Sequence, residues 1–358
     1  MEPRLRFGIL GTGNIAGQFA DGVRGAHRSA VTAVGSRSAE SAAAFGERFG
    51  LPPEACHGDY QALVESDAID AVYVSLPNHL HAEWTIKSLE AGKHVLCEKP
   101  FAMDVGEAQV VFDAAERCGR RVMEAFMYRC HPLTEAVLAA VRGGAVGTVR
   151  LIRANFCYRT TRVDGNVRFN PAIGGGALMD IGSYCLNFCR MIAGREPTHA
   201  QVFGHRHATG VDDFATGTLK FPADASVPHA EGEVVAAVSF GMTVQADNTA
   251  LIGGDEGYLE VPVPWKPPTR DARYVLHGQT PPKQDRSSGG ASGGVSGGGK
   301  PAPQTFTFDA PAPLYGMEAD AFAAAIAEGR PFPVTPEDTR GNMRLLDTLG
   351  QQLRADGA

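Results

Sequence analysis

Short apolar runs and helical repeats alternate along the first third of the chain. Leu5–Leu10, Val31–Gly35, Ala71–Ser75, His94–Cys97 and Arg121–Glu124 read as strands, while Ile15–Val23, Ala39–Phe49, Ala82–Ala91 and Val105–Cys118 carry the spacing of helices. Alternation of this kind builds βαβ units around a parallel sheet. Gly92, after the third helix, predicts a cap that leads at once into the next strand. Beyond residue 146 the pattern changes to β-prone stretches in series: Val146–Tyr158, Thr216–Phe221, Glu233–Phe240, Thr243–Ile252, Tyr258–Val261, Tyr274–Leu276 and Gln304–Phe308. Two helical stretches, Met317–Glu328 and Thr339–Arg354, close the chain. Strands followed by helices predict a second, α+β unit on a mostly antiparallel sheet, with one face covered by helices and the other left for a partner subunit.

Composition sharpens this picture. The 358 residues are 44% apolar and 20% charged, which fits globular domains and neither a disordered chain nor a membrane bundle. No apolar run approaches the roughly 18 residues of a spanning helix. Lys and Arg number 33 against 40 Asp and Glu, a net charge of −7 without single-sign blocks, so a nucleic-acid partner is not expected. The start passes directly into a strand without an apolar signal core, and the seven cysteines include no Cys-x-x-Cys, so a cytoplasmic protein with reduced thiols and no metal is expected. Cys185 and Cys189 read as packing residues. Of the 43 glycines, seven lie in Ser287–Gly299, where eleven of thirteen residues are Gly or Ser, and this segment reads as a flexible surface loop.

The first chemical signal is Gly11-Thr12-Gly13-Asn14-Ile15-Ala16, a G-x-G-x-x-A between the first strand and first helix. Gly11 permits a tight turn, Gly13 lets backbone approach a pyrophosphate, and Ala16 allows close helix packing, with the phosphate at the helix N-terminus. The expected fold class is thus α/β: an N-terminal Rossmann doubly wound parallel sheet over 1–126, and a C-terminal α+β domain with a mostly antiparallel open sheet over 127–358. An NAD site normally places an acid at the end of the second strand, about twenty residues on, to hold the ribose hydroxyls. Ser36, Arg37 and Ser38 stand there instead, and a guanidinium with hydroxyls suits the 2′-phosphate of NADP, with NAD remaining possible.

Three further motifs follow: Leu76-Pro77-Asn78-His79-Leu80-His81, Glu98-Lys99-Pro100, and Gly174-Gly175-Gly176 leading to Asp180 and Tyr184. The first two are polar turns at the carboxyl ends of parallel strands, where open α/β sheets bind ligands. A helix starting near Asp180 brings Asp180 and Tyr184 onto one face. The four motifs, in this order, resemble the Gfo/Idh/MocA oxidoreductases, NAD(P)-dependent enzymes acting mainly on sugars and cyclitols. Tyrosine at 184, where histidine is commoner in the family, is similar to the branch containing glucose–fructose oxidoreductase, dimeric dihydrodiol dehydrogenase and NADP-dependent D-xylose 1-dehydrogenase.

The resemblance implies Lys99, Tyr184 and Asp180 as catalytic residues. It implies a cofactor site formed by Gly11, Thr12, Gly13, Asn14, Ile15, Ser36, Arg37, Leu76, Pro77, Asn78, His81, Glu98 and Lys99, with Arg129 and Arg168 as further candidates and Asn187 beside them. His131 reads as structural. The expected reaction is hydride transfer between NADP and a carbinol carbon of an aldose or related polyol. A trans-dihydrodiol dehydrogenase, a sugar–sugar oxidoreductase that keeps its NADP, and a dinucleotide-sensing regulator are the alternatives. In the expected mechanism the Lys99 ammonium lowers the Tyr184 pKa toward phenolate. The partners expected are a small sugar or diol and a second copy of the chain, as a homodimer or homotetramer.

Overall fold

A computed structural model describes residues 4–278 and 302–355, and the Gly/Ser segment 287–299 lies outside the described residues. The first part runs β1 (Leu5–Leu10), α1 (Asn14–Val23), β2 (Ser29–Gly35), α2 (Ala39–Phe49), β3 (Cys56–His57), α3 (Tyr60–Val64), β4 (Ala71–Val74), α4 (His81–Glu90), β5 (His94–Glu98), α5 (Val105–Cys118) and β6 (Val122–Ala125). All six strands are parallel, in the order β3-β2-β1-β4-β5-β6. The strand order reverses beside β1, and the crevice that opens there is where doubly wound sheets bind ligands. Residues 71–74 of β4 have no exposed surface, as a central strand covered by helices on both faces requires. Local chemistry sets the helix starts. Ser38 accepts the Ser41 amide ahead of α2, and Asp104 accepts the Glu107 amide ahead of α5. The short β3 and α3 lack a run long enough to be read from periodicity.

After α6 (Pro132–Arg142) and β7 (Val149–Cys157) the chain reaches a π-helical turn, Leu178–Gly182, that continues into α7 (Ser183–Ala193). Strands β8 (His199–Arg206), β9 (Asp212–Phe221), β10 (Val234–Gly241), β11 (Ala250–Gly254), β12 (Tyr258–Val261), β13 (Ala272–His277) and β14 (Gln304–Phe308) follow, then α8 (Leu314–Ala327) and α9 (Pro336–Ala355). The second sheet has the order β14-β13-β12-β11-β7-β10-β9-β8, antiparallel throughout except for β7 with β10. The mostly antiparallel open sheet expected for this half is present.

Two departures have local causes. The stretch 243–252 is a strand only from Ala250, because the Asn248 side chain takes the Cys157 amide (2.6 Å) in place of a neighbouring carbonyl. Strand β8 is an edge strand with polar residues and an exposed Phe203, so no buried alternation marks it in the sequence. The chain's end folds back onto its beginning: α8 lies on α1, and Asp320 accepts the His27 and Arg28 amides (2.6 and 2.8 Å). No helix among the described residues is long and apolar enough to cross a membrane.

Candidate active site

A cleft of about 830 Å³ runs from the carboxyl ends of β1 and β2 to the π-helical turn of the second half. Its volume lies in the range of small-molecule and cofactor sites. At one end Gly11, Thr12, Gly13, Asn14 and Ile15 form the floor. Gly11 has φ +99°, which side chains rarely adopt, and a Cβ there would press on the Ser75 carbonyl at 3.2 Å. Gly13 differs: a Cβ would meet nothing within 4 Å, so its bare backbone faces open space. As N-cap of α1, Gly13 provides no side-chain acceptor, which leaves the first helix amides for a ligand. Ser36, Arg37, Ser38 and Ser41 continue this end, with Arg37 exposed and Ser36 buried. A dinucleotide phosphate backbone fits this cradle.

The middle is built by rim turns. Leu76 and Pro77 line the wall, and Asn78 donates to the Gly174 carbonyl (2.7 Å), tying the first half to the triple glycine of the second. A Cβ on Gly176, where φ is +128°, would collide with the Asp212 carboxylate, which accepts the Leu178 amide (2.7 Å) at the start of the π turn. The triple glycine thus makes room for protein, not for ligand. His81 is on the wall but buried, and its two ring nitrogens each lie 2.7 Å from a carbonyl, those of Pro100 and Leu76. Burial outweighs those carbonyls and lowers its pKa to about 4. Neutral imidazole has one N–H, so His81 donates to one of these rim carbonyls and packs against the other.

Lys99 follows β5, joined to Pro100 by a cis peptide bond. Its Nζ donates to the Asp180 carbonyl (2.7 Å) and to Asp180 Oδ1 (3.1 Å). The other carboxylate oxygen accepts from Arg168 Nε (2.7 Å) and from the Tyr158 hydroxyl (2.8 Å). Burial alone would raise the Asp180 pKa, but Lys99 and then Arg168 outweigh it and hold the carboxyl well below its ordinary value. Glu98 accepts from the Tyr73 hydroxyl, and burial raises its pKa.

The Lys99–Tyr184 relation differs from the one expected. The ammonium sits over the ring, 5.2 Å from its centroid, and the phenol donates instead to Met127 Sδ (3.3 Å). Tyr184 is only 4% exposed, packed edge-on against Phe126 and Phe156. Burial, with Glu98 next, pushes its pKa well above the ordinary value, so the hydroxyl stays protonated. Arg129 is also placed differently. It does not line the cleft, because its guanidinium is buried against Asp338 (2.6 Å), Asn187 (3.0 Å) and the Pro333 carbonyl (2.9 Å). This network fastens α7 to the start of α9. His131 is structural as expected, capping α6 through the Leu133 amide. Among the cleft residues that escaped the sequence reading are Tyr158, Phe156, Lys266 and Tyr315. Phe156 and Tyr158 come from the end of β7, Lys266 from a turn and Tyr315 from the first turn of α8, and none carries motif spacing.

Residues 5–126 match the family model for the Gfo/Idh/MocA oxidoreductase family with its NAD-binding Rossmann fold, and residues 134–260 match the model of the family's C-terminal domain. The chain belongs to the Gfo/Idh/MocA family. Family membership makes it an NAD(P)-dependent oxidoreductase. Among curated relatives, D-xylose 1-dehydrogenase (NADP(+)) 2 of Haloferax volcanii is 30% identical over 99% of both chains. Trans-1,2-dihydrobenzene-1,2-diol dehydrogenase of Macaca fuscata fuscata is 33% identical over 74% of this chain and 76% of its own. Among solved structures, KijD10, a 3-ketoreductase from Actinomadura kijaniata in complex with NADP and TDP-benzene, superposes with a TM-score of 0.80 at 30% identity over 98% of each chain.

Proposed function

We propose that this Gfo/Idh/MocA oxidoreductase is an NADP-dependent dehydrogenase or reductase acting on a carbinol carbon of an aldose or related polyol. The reading is carried by the hold on Lys99, whose Nζ is fixed between the carbonyl and carboxylate of Asp180 at the point where the dinucleotide end of the cleft meets the second half. NADP preference is supported by Arg37 with Ser36 and Ser38 at the end of β2, and by the NADP named for the Haloferax volcanii dehydrogenase and the KijD10 complex.

Bound NADP supplies the centre that accepts or releases hydride. Lys99 is the residue that passes a proton to or from the substrate oxygen, because Asp180 fixes its Nζ while Tyr184, kept neutral with its hydroxyl on Met127 Sδ, serves as a ring platform. Arg168 and Tyr158 hold Asp180 from its far side. The apolar wall of Phe156, stacked on buried Trp265, excludes water from one flank.

That wall also favours a second reading, a trans-dihydrodiol dehydrogenase, since flat rings pack well against Phe156 and Tyr184. An assay of NADP⁺ reduction over aldoses, polyols and cyclic diols separates the two. Turnover confined to cyclic diols selects the second reading, and no turnover with any of them, in either direction, removes both. Nucleotide that copurifies and does not exchange would identify a sugar–sugar oxidoreductase. A homodimer formed through the uncovered face of the second sheet completes the proposal, supported by the exposed Leu151, Phe203, Phe214 and Val235 there.

A further inference from the structure

Charge is unevenly distributed along the cleft. At the dinucleotide end Arg37 is the only charged lining residue among the described residues. The opposite end gathers Lys99, Arg168 and Lys266 against Glu98 and Asp180. Asp180 is already shared between Lys99 (3.1 Å) and Arg168 (2.7 Å), and Glu98 is occupied by the Tyr73 hydroxyl. Lys266 makes no ion pair among the described residues, and the charges that act on it are Lys99 and Arg168 of the same sign and Glu98 and Asp180 of the opposite one. Even with both carboxyls ionised, three cations against two anions leave one positive charge uncompensated, inside a protein of net charge −7.

The placement of Lys266 is built in. The segment Val263-Pro264-Trp265-Lys266-Pro267-Pro268 carries three prolines that fix φ around it. Trp265 is 2% exposed, stacks on Phe156 and donates from Nε1 to the Asn155 carbonyl (2.8 Å). On the other side the His131 ring meets the Pro268 carbonyl (3.2 Å). The backbone is therefore held at both ends, so an ordered contact by this lysine costs little beyond its own rotamers. Burial and the Lys99 ammonium both oppose its charged form, an arrangement that an incoming anion would relieve.

We propose that the substrate carries an anionic group, a carboxylate or a phosphate, away from the reacting carbon, and that Lys266 with Arg168 binds it. This rests on the sugar oxidoreductase reading and names the class of sugar. Binding would complete the charge balance of the cleft and give the site a means of rejecting neutral sugars, which would leave Lys266 unpaired.

The experiment compares D-glucose, D-glucuronate and D-glucose 6-phosphate as substrates, and as ligands of the NADP⁺-loaded protein by calorimetry, for wild type and Lys266→Gln. One anionic form is expected to exceed the neutral sugar in kcat/KM or affinity by roughly tenfold to a hundredfold, the range of a hydrogen bond to a charged group. Which of the two does so distinguishes carboxylate from phosphate. Lys266→Gln should remove that advantage through KM with kcat retained, and added salt should diminish it in the wild type. Equal use or binding of all three sugars overturns the inference. So does a Lys266→Gln variant that loses NADPH affinity in a fluorescence titration while its discrimination among sugars is unchanged. Lys266-dependent binding of an anionic form without turnover of any substrate would instead leave the inference standing and remove the proposed reaction.

Discussion

Lys99 and Tyr184 meet across a ring face, and this orientation separates their roles. A phenol kept neutral by burial donates a hydrogen bond but is a poor base, whereas the Lys99 Nζ is held in place by two acceptors on one residue. Replacing Lys99 by Met should therefore lower kcat by about 10²–10⁴-fold, with NADPH affinity close to wild type, and Tyr184→Phe should lose much less. Single-turnover kinetics with separate cofactor titrations would measure both, and wild-type rates in both variants would discard the site. At the other end of the cleft, Arg37→Ala should weaken NADP by about tenfold or more through loss of a charge-assisted phosphate contact, and leave NAD nearly unaffected. Equal losses for the two dinucleotides would remove the 2′-phosphate argument. Glu124, with no exposed surface, accepts the Phe101 amide (3.1 Å), and burial pushes its pKa up to about 8. Its folded pKa lies above the unfolded one, so its contribution to stability is complete below the unfolded value and is lost as pH rises through about 8. Glu124→Gln keeps an acceptor for that amide and cannot ionise. Melting temperatures followed from pH 6 to 9 should fall less steeply in the variant, and parallel curves would refute the assignment.

At the level of elements, legibility followed the strength of the local pattern. The strands and helices of the first sheet are marked by apolar runs bounded by capping residues, and α2, α5, β12 and β14 have the bounds their periodicity predicts. Strand β8 was hidden because an edge strand buries little, and residues 243–249 looked like strand although Asn248 supplies the hydrogen bond that a ladder would. The same division holds within the site. Gly11, Lys99 and Asp180 belong to compact motifs, while Tyr158 and Lys266 reach the cleft only through the pairing of β7 with β10 and the anchoring of Trp265. Arg129 shows the converse error, since a cation near a motif was enlisted by the distant Asp338. The π-helical turn depends on such a distant partner as well. Gly176→Ala would drive a methyl group into the Asp212 carboxylate and impose a strained φ, so it should destabilise the protein by about 1–3 kcal/mol and lower turnover by displacing Asp180. Denaturant melts together with kcat would reveal both effects, and a variant with unchanged kcat would uncouple the turn from catalysis.

Across the whole molecule the two sheets are treated differently by the chain. The first is covered by helices on both faces, whereas α7 and α9 cover only one face of the second. The register of β7, β10, β9 and β8 places Leu151, Val235, Phe214 and Phe203 on the other face, with exposures of 40%, 44%, 41% and 60%. Arg153, Lys220 and Glu260 project from the same side, so a two-fold axis through the patch can surround an apolar centre with charges of both signs. A monomer would leave this apolar surface in water. Phe156 of β7 lines the cleft from the helix-covered face, so pairing through the opposite face would leave the cleft open. Sedimentation equilibrium should accordingly find a dimer, or a dimer of dimers, at micromolar concentration. The pair Val235→Asp and Phe203→Asp places unpaired charges within the patch and should shift the mass to that of a single chain, with far-ultraviolet circular dichroism unchanged. A wild-type protein that sediments as one chain, or a variant that keeps its assembly, would show that this face is not the contact.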